Sequence, residues 1–164
     1  TAESAATRIT SVKFVIAGGF GVGKTTFVGA ISEIEPLRTE AAMTSASSGI
    51  DDTRHIQGKT TTTVAMDFGR ITVDDTLVMY LFGTPGQDRF GFMWDDICLG
   101  ALGAVNVFDG APRYPTNEIR EALGVADDTP IVDCDARNKD SVKMVLLTLL
   151  ESLVAKAQAR AHMR

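Results

Sequence analysis

Residues 18–26 read GGFGVGKTT and directly follow an apolar run, VKFVIA. The pattern GxxxxGK[ST] is met by Gly18, Gly23, Lys24 and Thr25. Glycines let successive backbone N–H groups point into one concavity that holds phosphate oxygens, the lysine adds a cation, and the threonine hydroxyl is a Mg²⁺ ligand. A chance glycine turn before a helix is the alternative. The position between an apolar strand and a helix favours a loop that binds a nucleoside triphosphate.

The predicted phosphate contacts come from the loop backbone and from the first residues of the helix after it. Thr26 is expected to bring its N–H and hydroxyl to the innermost phosphate, at the positive end of that helix. The predicted phosphate-binding residues in this stretch are Gly19, Phe20, Gly21, Val22, Gly23, Lys24, Thr25 and Thr26.

Composition narrows the class of protein. The chain has 164 residues, 45% of them hydrophobic, and a formal net charge of −5. This predicts one globular domain without nucleic-acid binding. No apolar run is long enough to span a membrane, and Cys98 and Cys134 lack metal-type spacing, which indicates reduced thiols in a cytoplasmic protein. Residues 1–10 are predicted to form a loose leader and residues 11–164 the domain.

Alternating strand and helix patterns predict an α/β fold with a mostly parallel sheet covered on both faces. VAMDFGRITV and LVMYLF, separated by DDT, predict one antiparallel strand pair. GAVNVFD and TPIVDCD are predicted strands, and residues 35–62 a long loop. Helices are expected in KTTFVGAISEI, in DRFGFMWDDICLG, in TNEIREALGV up to Gly124, and in a last helix capped by Asp140 or Ser141.

The stretch YLFGTPGQDRF at residues 80–90 resembles the D-T-A-G-Q-E-R-F motif of Ras-like small GTPases. From about Val12 onward the chain resembles bacterial Ras-like small GTPases of the actinobacterial conservon type, distant relatives of the myxobacterial gliding-motility GTPase. The resemblance implies a P-loop NTPase with a Ras-like three-layer sandwich. It also implies catalytic roles for Lys24, for Gly86, whose N–H would contact the γ-phosphate, and for Gln87, which would orient the attacking water. An ordinary exposed loop residue is the alternative for Gln87.

The resemblance also implies a switch threonine that binds Mg²⁺ together with Thr25. Aligning KTTTTVAMDF on its Asp-Phe pair with the family's T-I-G-V-D-F selects Thr63 as a ligand of the metal and the γ-phosphate. Thr62 is the fallback, and a β-prone threonine run is the alternative. Arg54 is a weak candidate for an internal arginine finger, with a solvated surface arginine as the other interpretation.

Two residues depart from the family pattern. Gly83 stands where the family has an aspartate that steadies Mg²⁺, so we expect weaker metal retention. Phe20 stands where the family often has glycine, and its ring either obstructs Gln87 and an incoming arginine or points away.

Two later stretches resemble the family's guanine-binding motifs. VNVFDG corresponds to N-K-x-D, which would give Asp109 the guanine N1–H and amine, while Asn106 would tie this loop to the phosphate loop. DCDARN corresponds to E-T-S-A-K-N, which would place the Ala136 N–H on the guanine O6. The implied guanine-binding residues are Asn106, Asp109, Cys134, Asp135, Ala136 and Arg137.

The family has a further strand and helix between DRFGFMWDDICLG and GAVNVFD, and a parallel crossover needs a dozen or more residues. Either these are truly deleted, or the sequence omits them near residue 104. The second is favoured because the flanking motifs keep the family register. With a true deletion, VNVFD would lie beside the phosphate-binding strand and Asp109 would lie away from any base.

We therefore expect a GTP-binding molecular switch that hydrolyses GTP slowly to GDP and phosphate with Mg²⁺. The resemblance implies a regulatory partner of the roadblock or longin type, expected to act as a dimer. It also implies a sensor-kinase-like membrane protein as an indirect partner. The location is then cytoplasmic, with membrane recruitment only through a partner. The alternatives are a nucleotide-binding scaffold with little turnover and an ATP-dependent phosphotransferase, for which no acceptor pocket or lid sequence is found.

Overall fold

The computed structural model describes residues 8–35, 37–42, 63–86, 88–110 and 114–163. Its regular elements are β1 (Thr10–Gly18), α1 (Lys24–Ile31), β2 (Leu37–Ala42), β3 (Thr63–Asp74), β4 (Leu77–Gly83), a 3₁₀ helix (Asp88–Met93), α2 (Trp94–Cys98), β5 (Gly103–Val107), α3 (Thr116–Leu123) and α4 (Lys139–His162).

The strands form one five-stranded sheet in the order β2-β3-β4-β1-β5. The strand before the glycine-rich loop, β1, is central and pairs in parallel with β4 and with β5. The antiparallel pair predicted around DDT is β3 with β4, and β2 adds a second antiparallel pairing along β3. The predicted α/β class is confirmed.

One face of the sheet carries the main hydrophobic core. Alternate residues of β1, Phe14 and Ile16, are fully buried there, because side chains two apart along a strand point to the same side. The cluster on this face comes from β1, β4, α1 and α4: Phe14, Ile16, Phe27, Val28, Ile31, Met79, Leu81, Val142, Val145 and Leu146.

The opposite face is covered by the segment that contains α2. The Lys13 amine lies 4.8 Å from the centroid of the Phe82 ring and donates a hydrogen bond of 3.0 Å to the Leu99 carbonyl, just after α2. Ile97 of α2 is buried. The sheet therefore lies between α1 and α4 on one side and α2 on the other, which makes three layers.

Helix α1 approaches β3 unusually closely. A Cβ atom placed on Gly69 would lie 2.7 Å from Val28 Cγ1 and 3.2 Å from Ser32 Cβ. The Ser32 hydroxyl oxygen accepts a hydrogen bond of 3.2 Å from the Arg70 N–H. The end of α1 is thereby fixed to the sheet, and so is the direction in which its N-terminus points.

Four local predictions differ from the structure. Strand β2 lies within the predicted loop 35–62, because pairing with β3 orders a segment that has no strand pattern of its own. The stretch DRFGF is 3₁₀ rather than α-helical, and TPIVDCD forms no strand. The cap of α4 is Asn138, whose side-chain oxygen accepts from the Asp140 and Ser141 N–H groups at 2.9 and 3.1 Å.

Strand β5 lies directly beside β1, with Gly18 paired to Val107. This is the arrangement stated above for a chain without the additional strand and helix. The prediction that such a segment is missing from the sequence near residue 104 stays a prediction.

Candidate functional site

The phosphate-loop sequence leaves β1 and enters α1 with the backbone that its glycines allow. Gly21 and Gly23 have φ values of 77° and 101°, in the left-handed region that favours glycine. Gly18 has a φ of 142°, and a Cβ atom there would lie 2.2 Å from the Val107 carbonyl oxygen. Close approach of β5, as well as the turn itself, therefore requires glycine at this position.

Lys24 is the first residue of α1 and is only 8% exposed. Its amine donates hydrogen bonds of 2.8 Å to the Gly18 carbonyl and 2.5 Å to the Gly19 carbonyl. Burial lowers the pKa of Lys24 below its ordinary value, and the nearby Asp67 carboxylate acts in the opposite direction. The cation is thus held against the loop that the sequence assigns to phosphate.

The segment after β4 lies on top of this loop. The Thr84 N–H donates to the Ile16 carbonyl at 2.9 Å, which continues the pairing of β4 with β1. A Cβ atom on Gly86 would lie 2.7 Å from the Lys24 amine and 2.8 Å from Phe20 Cα. The Gly86 backbone therefore contacts both the loop and its lysine, and any larger residue would have to displace one of them.

A carboxylate that the sequence analysis did not select lies beside the candidate metal ligand. The Thr25 hydroxyl donates a hydrogen bond of 2.6 Å to Asp67 Oδ2, between the first turn of α1 and β3. A Cβ atom on Gly83 would lie 3.3 Å from that same oxygen. Only the pairing of β3 with β4 brings Asp67 here, and counting residues outward from the DDT turn could have found it.

Mg²⁺ commonly binds through one or two protein oxygens, with phosphates and water completing its shell. Thr25 and Asp67 offer a hydroxyl and a carboxylate beside the buried cation of Lys24, a donor set that fits a Mg²⁺-nucleotide. Within the described residues, no group of three or more His, Cys, Asp or Glu side chains could hold an ion by itself. The residues present therefore fit a metal that arrives with its nucleotide.

The loop residue Phe20 is 77% exposed, so its ring is not packed beneath the segment that carries Gly86. Thr26 is exposed in the first turn of α1, and Thr63 is the first residue of β3. Gln87, Thr62 and Arg54 lie outside the described residues.

One of the predicted base-side residues lies close to the phosphate loop. A Cβ atom on Gly23 would lie 3.8 Å from Ala136 Cβ, so the loop before α4 contacts the start of α1. Arg137 donates to Asp135 at 3.0 and 3.2 Å, and these hydrogen bonds lower the pKa of the Asp135 carboxyl. Ala136 is partly buried. The other predicted base-side residues are exposed: Asn106, Asp109, Cys134, Asp135 and Arg137.

Among known proteins, a family model described as "conserved hypothetical ATP binding protein" matches residues 16–112, which is more than half of the chain. An uncharacterized protein of Methanocaldococcus jannaschii is 33% identical over 120 residues, which cover 73% of this chain and 64% of the relative. The chain therefore spans less than two thirds of that curated relative.

Two solved structures are similar to this chain at a low level. The G domain of the T. maritima FeoB iron transporter has a TM-score of 0.49 and 13% identity, with 87% of this chain and 99% of that chain covered. The GTP-bound T. brucei IFT22/74/81 structure has a TM-score of 0.37 and 16% identity, with 70% and 56% covered. Likenesses at this level establish nothing about function.

Among the helices that the structure describes, none combines the length and apolar character needed to cross a bilayer.

Proposed function

Since the chain belongs to the family of conserved hypothetical ATP-binding proteins, we propose that it binds a purine nucleoside triphosphate with Mg²⁺, prefers GTP, and hydrolyses it slowly as a molecular switch. One observation carries the proposal. A nearly buried lysine at the N-terminus of α1 lies under the Gly86 backbone and is held by two carbonyls of a glycine-rich loop. Cation, backbone N–H groups and helix N-terminus together form a site for a polyphosphate.

Each residue near the phosphates has a separate task in this proposal. The amine of Lys24 offsets negative charge on the terminal phosphates, and the Gly86 N–H donates to the γ-phosphate. The Gln87 side chain orients the attacking water. Bound Mg²⁺ would supply Lewis-acid polarisation of the phosphate oxygens, and Thr25 and Thr63 are the residues proposed to hold it.

Preference for GTP is supported by sequence motifs and by the position of one loop. Ala136 lies against Gly23, where its N–H could face a base whose phosphates occupy the loop. A specific observation favours ATP instead, because the family description names that nucleotide. The position of β5 beside β1 also shifts Asp109 by one strand from where the guanine motif would place it.

Isothermal titration calorimetry with GTP, GDP and ATP, with and without Mg²⁺, tests binding and base preference. We expect GTP to bind at least about 10-fold more tightly than ATP, since a base-edge hydrogen bond left unpaired costs over 1 kcal/mol. Lys24→Ala should weaken binding about 100-fold, because it removes a charged hydrogen-bond donor. Equal affinities, or a preference for ATP, would replace the GTP assignment with the family's ATP.

Single-turnover phosphate release tests hydrolysis. Gln87→Ala should slow release about 10- to 100-fold while leaving nucleotide affinity within a factor of three, because only positioning of the water is lost. The control is Asn117→Ala on the exposed face of α3. Binding without measurable release by the unchanged protein would favour the scaffold alternative.

The signalling role extends this proposal through the resemblance to conservon GTPases. A roadblock-type dimer is the proposed regulator, and a sensor-kinase-like membrane protein would be reached only through it, which would recruit a cytoplasmic GTPase to the membrane. Adding a purified roadblock-type dimer to the single-turnover assay should change the release rate. No change at a saturating concentration would remove this partner from the proposal.

A further inference from the structure

Gly83 is the position where the resemblance leads one to look for a metal-steadying aspartate, and glycine has no carboxylate. The space beside it is nevertheless occupied. A Cβ atom on Gly83 would lie 3.1 Å from Asp67 Cβ and 3.3 Å from Asp67 Oδ2. The pairing of β3 with β4 explains this contact, because Phe68 pairs with Phe82 and the next step along the same register brings Asp67 opposite Gly83.

The Asp67 carboxylate is also bonded to the metal-binding end of the phosphate loop. It accepts a 2.6 Å hydrogen bond from the hydroxyl of Thr25, the residue that the loop motif assigns to Mg²⁺. Its charge acts on Lys24, whose pKa it raises against the effect of burial. Asp67 therefore contacts or influences the three positions that define the metal side of the site.

We propose that Asp67 supplies the carboxylate of the magnesium site, reaching from β3 into the space that a side chain at Gly83 would fill. This inference rests on the proposed function. Asp67 acts as a positioning residue: it orients the Thr25 hydroxyl and places a negative charge where a hard cation is favoured. The weaker metal retention expected from Gly83 alone is therefore not expected in this chain.

A purely structural role is the competing explanation, because the same hydrogen bond ties α1 to β3. The two roles differ in what magnesium changes. Losing a structural tie weakens nucleotide binding with and without the ion. Losing a metal-positioning carboxylate weakens only the part of binding that depends on magnesium, and without the ion it removes a negative charge near the phosphates.

The experiment measures the release rate of a fluorescent GDP analogue against free Mg²⁺, with EDTA as the metal-free limit and ATP- and ADP-based analogues in parallel. Asp67→Asn should speed release about 10- to 100-fold in Mg²⁺ and leave the EDTA rate equal or slower. Asp74→Asn, on the same strand but beside Thr76, is the matched control and should leave both rates unchanged. Melting temperatures show whether each variant is folded.

An exchange variant, Asp67→Gly with Gly83→Asp, moves the carboxylate to the neighbouring strand. We expect it to recover most of the Mg²⁺ dependence that Asp67→Asn loses. Gly83→Asp alone should not slow nucleotide release in Mg²⁺, because a Cβ atom at position 83 would lie 3.1 Å from Asp67 Cβ and crowd it.

The outcomes separate the inference from the function on which it rests. Unchanged Mg²⁺ dependence in a folded Asp67→Asn variant overturns the inference and leaves nucleotide binding standing. If Asp67→Asn speeds nucleotide release equally in Mg²⁺ and in EDTA, the inference is also overturned, in favour of the structural role. If the unchanged protein binds no nucleotide of either base, the proposed function fails and the inference fails with it.

Discussion

The predicted phosphate side and the predicted base side of the candidate site are built in different ways. On the phosphate side, a Cβ atom on Gly18, Gly83 or Gly86 would lie 2.2, 3.1 or 2.7 Å from another part of the chain. On the base side, a Cβ atom on Gly110 would meet nothing within 4 Å, and Asp109 is exposed. The predicted phosphate side is thus packed against its neighbours at these three positions, although a Cβ atom on Gly21, in the same loop, would also meet nothing within 4 Å. The predicted base-side loop is open at Gly110, so a substitution there costs little folding free energy.

The strongest test of this contrast is a pair of glycine substitutions. Gly18→Ala should lower the free energy of unfolding by about 2–4 kcal/mol, because its Cβ would strike a backbone oxygen and its φ of 142° disfavours alanine. Gly110→Ala should change it by less than about 0.5 kcal/mol. Urea unfolding measures both. Equal effects would show that the two sides are packed alike.

A smaller effect is expected where the base-side loop meets α4. Asn138→Ala removes the side-chain oxygen that accepts from two helical N–H groups, and should cost about 1 kcal/mol of unfolding free energy. Nucleotide affinity should stay within a factor of three. Asn117→Ala, in α3, is the matched control. A loss of binding larger than the loss of stability would show that this loop is coupled to the phosphate side.

The smallest effect concerns the far end of α1. Glu33 accepts hydrogen bonds from the Thr72 hydroxyl at 2.7 Å and from the Thr72 N–H at 3.0 Å, and pairs with Arg70 at 3.2 Å. The two hydrogen bonds, and then the Arg70 charge, lower the pKa of Glu33 below its ordinary value of 4.5. Its stabilising contribution is therefore present above pH 4.5 and is lost as the pH falls through the lowered value.

Glu33→Gln should accordingly lower the melting temperature slightly at neutral pH, where the ionised carboxylate contributes, and the difference from the unchanged protein should disappear as the pH falls below about 4.5. Glu151→Gln, on the exposed side of α4, is the control. The prediction is contradicted if the two substitutions give the same pH profile by differential scanning calorimetry.

Local patterns in the sequence were enough for the elements around the phosphate loop. The apolar run before Gly18 predicts β1, and the DDT turn between two apolar runs predicts the β3–β4 pair. Strand β2 was missed because its order comes from pairing with β3. The predicted strand TPIVDCD did not form, since a short apolar run becomes a strand only if a neighbour pairs with it.

In the candidate site, too, contacts that depend on strand pairing could not be predicted from local sequence patterns. The loop motif selects Lys24 and Thr25 because the expected chemistry depends on residues that are consecutive in the sequence, and their roles stay predictions. Asp67 is 42 positions from Thr25 and reaches it only through strand pairing. The cap of α4 was misassigned by two positions or more, because Asn138, Asp140 and Ser141 are all residues that favour caps and only the backbone geometry distinguishes them.

The hydrogen bonds of Lys24 limit which residue can bind phosphate at this position. An ammonium group has three hydrogens, and two of them already point at the Gly18 and Gly19 carbonyls. A single hydrogen is left to donate to an incoming ligand, so the hydrogen bond that Lys24 offers has one direction. The wide planar fork of an arginine could not reproduce this geometry, although it carries the same charge.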